Sequence, residues 1–438
     1  MAIACKFGGS SVANADQIKK IAKIIDADPQ RKYIVVSAPG KRNPDDKKIT
    51  DLLYLAHETA KNGIEPKEVL RLIRDRYDEI ISGLGIELDL TSTFQQIAKV
   101  IGEESTDFAA SRGEYLNGLV IAKYLNATFI DPFDHILIEA DGQLNEEITY
   151  PSLSSALKGE GRYLIPGFYG RDTKGKVKTF SRGGSDISGA IVARAVQADI
   201  YENWTDVSGL LMADPRVVES PLAIPEVSYT ELRELSYMGA QVLHDEAIFP
   251  AKALGIPVHI RNTNEPSHPG TKIVAQAKHR PFPVVGIAGK KGFEIIYLQK
   301  TLMNKEVGFG RRLLGLFEAR NINFEHLPSG IDSLSVVIKS EELDQHRKGI
   351  LEDIQSQLKV DEVKVFPNIS LLAVVGTGMA YHPGVAATIF QSLADANINI
   401  RLIDQGASEL NIIIGVQDDD FNLAINALYK AISKNQHH

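Results

Sequence analysis

The run from Ala2 to Ser37 most limits what this chain can fold into. A short apolar strand, Ala2 to Ala4, leads into Cys5-Lys-Phe-Gly-Gly-Ser-Ser11, and the next residues carry Ile18, Ile21, Ala22 and Ile25 on one face of a helix. Lys32 to Ser37 then reads as a second buried-type strand. Strand, helix and strand in so short a span form a βαβ unit, which requires a parallel sheet covered on both faces. Ligands of such sheets sit beyond the carboxyl ends of the strands. Lys6 and Ser37 both fall there, so they are expected to be neighbours.

The turn after the first strand has the chemistry of an anion site. Gly8 and Gly9 let the backbone come close to a phosphate and aim N–H groups at it. The following helix start adds partial positive charge, and Lys6 a full one. The plainer reading is a tight turn with a solvated lysine, since Gly-Gly-Ser is common in turns. The motif is neither a Walker loop nor a dinucleotide-binding glycine loop.

Composition sets the outer bounds. The 438 residues are enough for two to four domains, and 44% hydrophobic with 24% charged residues is ordinary for a globular protein. A net charge of −8 argues against a broad basic face for nucleic acid. The single cysteine, Cys5, excludes an internal disulfide and argues against a zinc cluster. The sequence shows no leader and no apolar run long enough to span a membrane, so a cytoplasmic protein is expected.

Further along, Ile49-Thr50-Asp51 starts a helix that Thr50 or Asp51 can cap. Residues 64–126 read as helical without strands. Glu114 is expected at the first turn of a helix from Tyr115 to Leu125, as a surface acid or as an acceptor for a ligand's ammonium group. Strands return at Thr128–Ile130 and Tyr163–Pro166, followed by a hairpin through Asp172-Thr-Lys-Gly. Thr179-Phe-Ser-Arg-Gly-Gly-Ser-Asp186 is a second glycine turn into a helix, presenting Arg182, Ser185 and Asp186. Arginine suits a carboxylate through paired hydrogen bonds, although Arg182 and Asp186 can also simply pair with each other. Asp199 to Trp204 is a strand whose end carries Thr205 and Asp206, and Asp214-Pro-Arg216 makes a turn expected to face the same crevice. A first domain is expected over residues 1–278.

The last third repeats itself. Gly308, Phe309, Leu313, Phe317, Asn321 and Asn323 recur as Gly384, Val385, Ile389, Leu393, Asn397 and Asn399, a constant offset of 76 residues. Each copy reads as a glycine turn, a helix and strands, a duplicated α+β module. The copies are expected over 284–365 and 370–435, with residues 284–288 as a possible first strand of one of them.

Together, Lys6-Phe-Gly-Gly-Ser-Ser, Ser37-Ala-Pro-Gly, Thr50-Asp-Leu-Leu, Ser181-Arg-Gly-Gly-Ser-Asp186, Thr205-Asp-Val and the duplicated module resemble the aspartate kinases, nearly end to end. The resemblance is to the monofunctional, lysine-sensitive type. It implies an amino-acid-kinase-type parallel-sheet sandwich followed by two ACT modules. It also implies transfer of the γ-phosphoryl of ATP, with Mg²⁺, to the side-chain carboxylate of L-aspartate. Lys6 would stabilise charge on the phosphoryl group, and Asp186 would organise lysines and nucleotide. Ser37, Thr50, Glu114, Arg182 and Ser185 would bind aspartate. Gly8, Gly9 and Ser10 would hold phosphate, and Thr205, Asp206 and Arg216 would contact ATP. Leu211, Gln241 and Asp245 stand where relatives commonly have Tyr, Lys and Pro.

The same resemblance implies feedback by an end product, lysine with or without threonine. Met303, Gly308, Phe309, Phe324, Glu325, Ser329 and Asp332 would form the effector site, and the chain would assemble as a homodimer or a dimer of dimers. Two other readings remain: a phosphotransferase of the same fold acting on glutamate, acetylglutamate or carbamate, and a catalytically silent amino-acid-sensing subunit.

Overall fold

A computed structural model of the chain describes residues 2–180, 184–240, 245–278, 283–380 and 382–435. It divides into two compact units. One comprises Met1–Leu210, Ala223–Tyr229 and Gln241–Ala277; the other comprises Leu211–Leu222, Thr230–Ala240 and Lys278–His438.

In the first unit β1 (Ile3–Phe7) passes through a 3-10 turn, Gly9–Val12, into α1 (Ala15–Asp26) and returns as β2 (Arg31–Val36). Four helices follow: α2 (Ile49–Lys61), α3 (Lys67–Leu84), α4 (Thr91–Val100) and α5 (Thr106–Leu125). Next come β3 (Thr128–Phe129), α6 (Pro132–His135), β4 (Leu137–Ile138), α7 (Glu146–Ala156) and β5 (Tyr163–Pro166). The hairpin β6 (Tyr169–Asp172) and β7 (Val177–Thr179) precedes α8 (Gly184–Ala195) and β8 (Ile200–Thr205). Along the chain there follow β9 (Leu210–Leu211), β10 (Ala223–Ile224), β11 (Glu226–Ser228), α9 (Tyr229–Tyr237), α10 (Phe249–Lys252), β12 (Val258–Asn262) and β13 (Thr271–Val274), of which Leu211 and all of α9 after Tyr229 belong to the second unit.

Eight of these strands form one sheet in the order β11-β13-β12-β8-β1-β2-β5-β3. Every neighbouring pair is parallel except β12 with β13. β1 sits inside the sheet, and all five of its residues are buried. The face of α1 carrying Ile18, Ile21, Ala22 and Ile25 joins the main core with Phe7, Ile34, Val36 and Trp204. Asn14 starts that helix, its side chain accepting the Gln17 N–H at 3.0 Å. The expected parallel sheet, the helical stretch after residue 64 and the hairpin at Asp172 are all present.

Two local expectations change. Lys48 precedes α2 without a side-chain cap, so neither Thr50 nor Asp51 caps it; Thr50 lies in the first turn. The helix expected from Tyr115 starts at Thr106, with Ser105 accepting the Phe108 N–H at 3.1 Å. The helix runs through Gly113, where a side chain would meet the Ala38 methyl at 2.8 Å, so glycine permits the close packing.

In the second unit β14 (Gly286–Gln299) and β16 (Glu362–Val375) are long antiparallel strands. They bend where their register shifts, between Lys290 and Ile295. Around them lie α11 (Phe309–Glu318), β15 (Ser333–Lys339), α12 (Ser340–Leu343), α13 (Arg347–Leu358), α14 (Val385–Asp395), β17 (Leu402–Asp404), β18 (Asn411–Gln417) and α15 (Phe421–Asn435). The sheet order is β15-β14-β16-β18-β17. The repeat is visible in its turns: Gly308 and Gly384 precede α11 and α14 with φ of 79° and 96°, a left-handed conformation that glycine adopts without strain. Residues 286–290, the start of β14, pair with 371–375 of the second copy. Among the described residues no helix is long and apolar enough to cross a membrane.

Candidate active site

The site forms where β1, β2 and β8 end. β1 pairs with β2 on one side and β8 on the other, and Lys6 lies opposite Val35 and Asn203. The Ser37 N–H donates to the Phe7 carbonyl at 3.2 Å, so the segments that follow the two strands run together, as their position in the βαβ unit requires. Gly40 donates to the Gly9 carbonyl at 2.8 Å, and a Cβ on Gly40 would come within 2.6 Å of Gly9. The two turns therefore touch backbone to backbone.

Lys6 is only 6% exposed, and its Nζ lies 2.5 Å from Asp186 Oδ1 in the first turn of α8. Gly8 is buried beside it; a Cβ on Gly8 would sit 3.4 Å from that Nζ. Gly9 is half-buried and Ser10 exposed, both in the 3-10 turn. Ser37 and Ser185 share a hydroxyl–hydroxyl hydrogen bond, which joins the end of β2 to the start of α8. Arg182 lies outside the described residues, as does Gln241. Asp186 is engaged by Lys6.

Glu114 is not a surface acid. It lies well inside α5, 7% exposed, with Oε2 lacking any hydrogen-bond partner. Burial raises its pKa to about 7, against the opposing pull of the Ala38 and Glu114 backbone N–H groups and the charge of Arg112. One turn later Asn117 donates from Nδ2 to the Ser37 carbonyl at 2.7 Å, tying α5 to the same loop. Glu114 therefore keeps one buried oxygen without a partner among the described residues, which makes it a candidate ligand contact.

At the end of β8, Thr205 donates through Oγ1 to Asp206 Oδ1 at 3.2 Å, and Asp206 is exposed. Arg216 belongs to the other compact unit, where its Nε and Nη2 grip the Asp214 carboxylate at 2.6–3.0 Å.

Two residues, one of them the strand neighbour of Lys6, escaped the sequence analysis. Asn203 on β8 donates from Nδ2 to Asp186 Oδ1 at 2.9 Å. Phe168, with φ of 79°, donates its N–H to Ser188 Oγ at 2.8 Å. A non-glycine residue in that region stores strain. Asn203 had a signal, an amide in an otherwise buried strand core; the φ of Phe168 had none.

On the opposite face of β8, Glu202 accepts from Arg31 Nε and Nη2 at 2.8 and 3.0 Å, from Trp204 Nε1 at 2.9 Å and from Arg261 Nη1 at 3.3 Å. This buried cluster ties β8 to β2 and β12 behind the site.

The residues proposed for an effector occupy varied settings within the second unit. Met303 and Phe309 are buried in the core of the first copy, whereas Phe324, Ser329 and Gly308 are exposed. The Glu325 side chain is only 6% exposed; its carboxylate accepts from Tyr237 Oη at 2.5 Å and lies 3.3 Å from Lys339 Nζ. Asp332 Oδ1 is buried without a partner.

Residues 1–262 match the model of the amino acid kinase family, and residues 372–432 match an ACT domain model. Aspartokinase 3 of Bacillus subtilis is 39% identical over 97% of this chain and 97% of its own length. The crystal structure of Clostridium acetobutylicum aspartate kinase is 50% identical, with a TM-score of 0.91, covering 98% of this chain and 99% of that one. Escherichia coli aspartokinase III in complex with aspartate and ADP is 25% identical with a TM-score of 0.76, covering 99% of this chain and 100% of that one. The same enzyme with lysine and aspartate is 26% identical with a TM-score of 0.75, covering 98% and 99%. With its kinase-type sheet, its ACT region and relatives matched along their whole length, the chain belongs to the aspartokinase family.

Proposed function

We propose that the chain transfers the γ-phosphoryl group of ATP to the side-chain carboxylate of L-aspartate, giving 4-phospho-L-aspartate and ADP. The observation that carries this reading is the Lys6–Asp186 pair, set beside Gly8 and close in the fold to the loop that Glu114 and Asn117 engage. A carboxylate oxygen of aspartate attacks the γ-phosphorus as the bond to the β-phosphate oxygen breaks. The nucleophile is already ionised at neutral pH, so no general base is required. What the protein must supply is alignment and charge.

Lys6 meets the transferring phosphoryl oxygens, while Gly8, Gly9 and Ser10 hold phosphate. Ser37, Thr50 and Ser185 contact aspartate, Arg182 takes a carboxylate and Glu114 takes the ammonium group. That ammonium supplies the donor the buried Glu114 oxygen lacks. Thr205 and Asp206, at the end of β8, contact ATP. Mg²⁺, arriving on the phosphates, needs only one or two carboxylates, and Asp186, with 22% of its side chain exposed, is the acid beside Lys6. When bound, the ion neutralises phosphate oxygens.

End-product control by lysine, with or without threonine, fits the duplicated C-terminal modules and the lysine complex of the E. coli relative. Glu325, Asp332 and Ser329 are the polar groups on offer to an effector, with the backbone near Gly308 and Phe309; Met303 and Phe324 supply apolar contact. Leu302, Val307, Phe324 and Ile331 leave apolar surface on the first copy, with Val307 94% exposed, which suits a homodimer or a dimer of dimers. ATP-dependent formation of aspartyl hydroxamate, run beside glutamate, acetylglutamate and carbamate, tests the reading. Turnover of another acceptor in preference to aspartate defeats it, and no turnover at all leaves a silent amino-acid sensor.

A further inference from the structure

We propose that Asn203 is a positioning residue for phosphoryl transfer: it fixes the Asp186 carboxylate in the orientation that aims Lys6 at the reacting phosphate. The proposal rests on the reaction stated above.

Strand geometry brings the three residues together. Lys6 and Asn203 are register partners on adjacent parallel strands, so their side chains leave the same face of the sheet. Both reach one atom, Asp186 Oδ1, from Lys6 Nζ at 2.5 Å and Asn203 Nδ2 at 2.9 Å. The acceptor is a carboxylate oxygen, so the amide must turn its NH₂ toward it. Tyr201 lies two residues earlier on the same face, and its hydroxyl donates to the Asp186 carbonyl at 3.0 Å. β8 thus holds both the main chain and the side chain of Asp186.

An amide on this strand is costly unless it is bonded. Asn203 is 3% exposed, and an apolar side chain would fill the space without that cost. What asparagine adds is a second donor on Oδ1 from a rigid strand. A lysine stem with four rotatable carbons cannot by itself fix the carboxylate it binds. Because the amide is neutral, it orients Asp186 without competing with Lys6 for its charge; an aspartate here would crowd a second carboxylate against the first. Catalysis by preorganised charge tolerates little misplacement, so the gain appears at the transition state rather than in substrate binding.

The test compares wild type, Asn203→Leu, Asp186→Ala and the double variant in steady-state kinetics, with thermal midpoints recorded for each. Asn203→Leu is expected to keep its fold and its KM for aspartate while kcat falls about tenfold or more, as for loss of a hydrogen bond to a charged group. In the Asp186→Ala background the same substitution should cost nothing further, because its partner is gone. Wild-type kcat in Asn203→Leu, or a full additive loss in the double variant, overturns the proposal. If the leucine variant does not fold, Asn203→Ala removes the same donor with a smaller side chain and is judged by the same outcomes. A wild type that forms no aspartyl hydroxamate defeats the reaction itself, whereas an active wild type with an indifferent Asn203→Leu defeats only this role.

Discussion

The Lys6 ammonium and the Asp186 carboxylate stand 2.5 Å apart, joining β1 to the first turn of α8 with Lys6 almost wholly buried. A charge held this way meets a developing phosphoryl charge without reorganising. Lys6→Ala is expected to lower kcat by about 10² or more, the usual cost of one preorganised donor. Unchanged turnover in a folded variant would take Lys6 out of the mechanism.

Glu114 makes stability depend on pH. Its folded pKa of about 7 lies above the ordinary value of 4.5, so the folded protein holds a proton that the unfolded chain releases. Stability therefore falls as pH rises from about 4.5 to about 7 and stays lower above that. Glu114→Gln removes this loss. Without substrate, the variant should be more stable than wild type at pH 8 by on the order of 2–3 kcal/mol and nearly equal at pH 4.5. Its KM for aspartate should rise, since a neutral amide is a poorer partner for an ammonium group. Parallel melting curves of the two proteins across pH would refute the buried carboxyl.

Glu202 tests the support behind the site. Burial pushes its carboxyl pKa up, but hydrogen bonds from Arg31 and Trp204 and the charges of Arg31 and Arg261 together hold it below the usual value. Its contribution is present above the unfolded carboxylate pKa and is lost as pH falls through the folded value. Glu202→Ala leaves Arg31, itself buried, without its carboxylate partner. The loss should be about 3–5 kcal/mol, read as a lower denaturation midpoint. A midpoint within experimental error of wild type would show that the cluster carries no net stability.

Glu325 tests the regulatory reading. Lysine must favour an inactive arrangement to inhibit, because equal affinity for two states shifts nothing. A coupling of about 1–3 kcal/mol corresponds to roughly 5- to 150-fold inhibition. Lysine and threonine are titrated singly and together against wild type, Glu325→Ala and Tyr237→Phe. The first variant should lose lysine inhibition. The second should gain sensitivity, since Tyr237 otherwise occupies the same carboxylate. Inhibition that survives intact in Glu325→Ala rules out this acid, and an uninhibited wild type defeats the regulatory reading.

The sequence alone carried what depends on local pattern. Apolar runs bounded by glycine turns set the parallel strands, the spacing of Ile18, Ile21 and Ile25 set the face of α1, and a fixed offset marked the repeated turns at Gly308 and Gly384. The strand-end rule puts Lys6 and Ser37 at adjacent strand ends, because a βαβ unit leaves one arrangement for them. The tertiary structure decided what depends on packing between distant segments. The helix expected from Tyr115 starts at Thr106 and passes close to Ala38 at Gly113, so Glu114 lies in the interior rather than at a first turn. Glu325 read as an acid open to an effector and proved engaged by Tyr237 and Lys339. Asn203 and Asp186 meet only once β8 and α8 pack together, so no local pattern could reveal the contact. Periodicity reports which way a side chain points along its own element; which partner it meets, and whether water reaches it, is settled by how the elements pack.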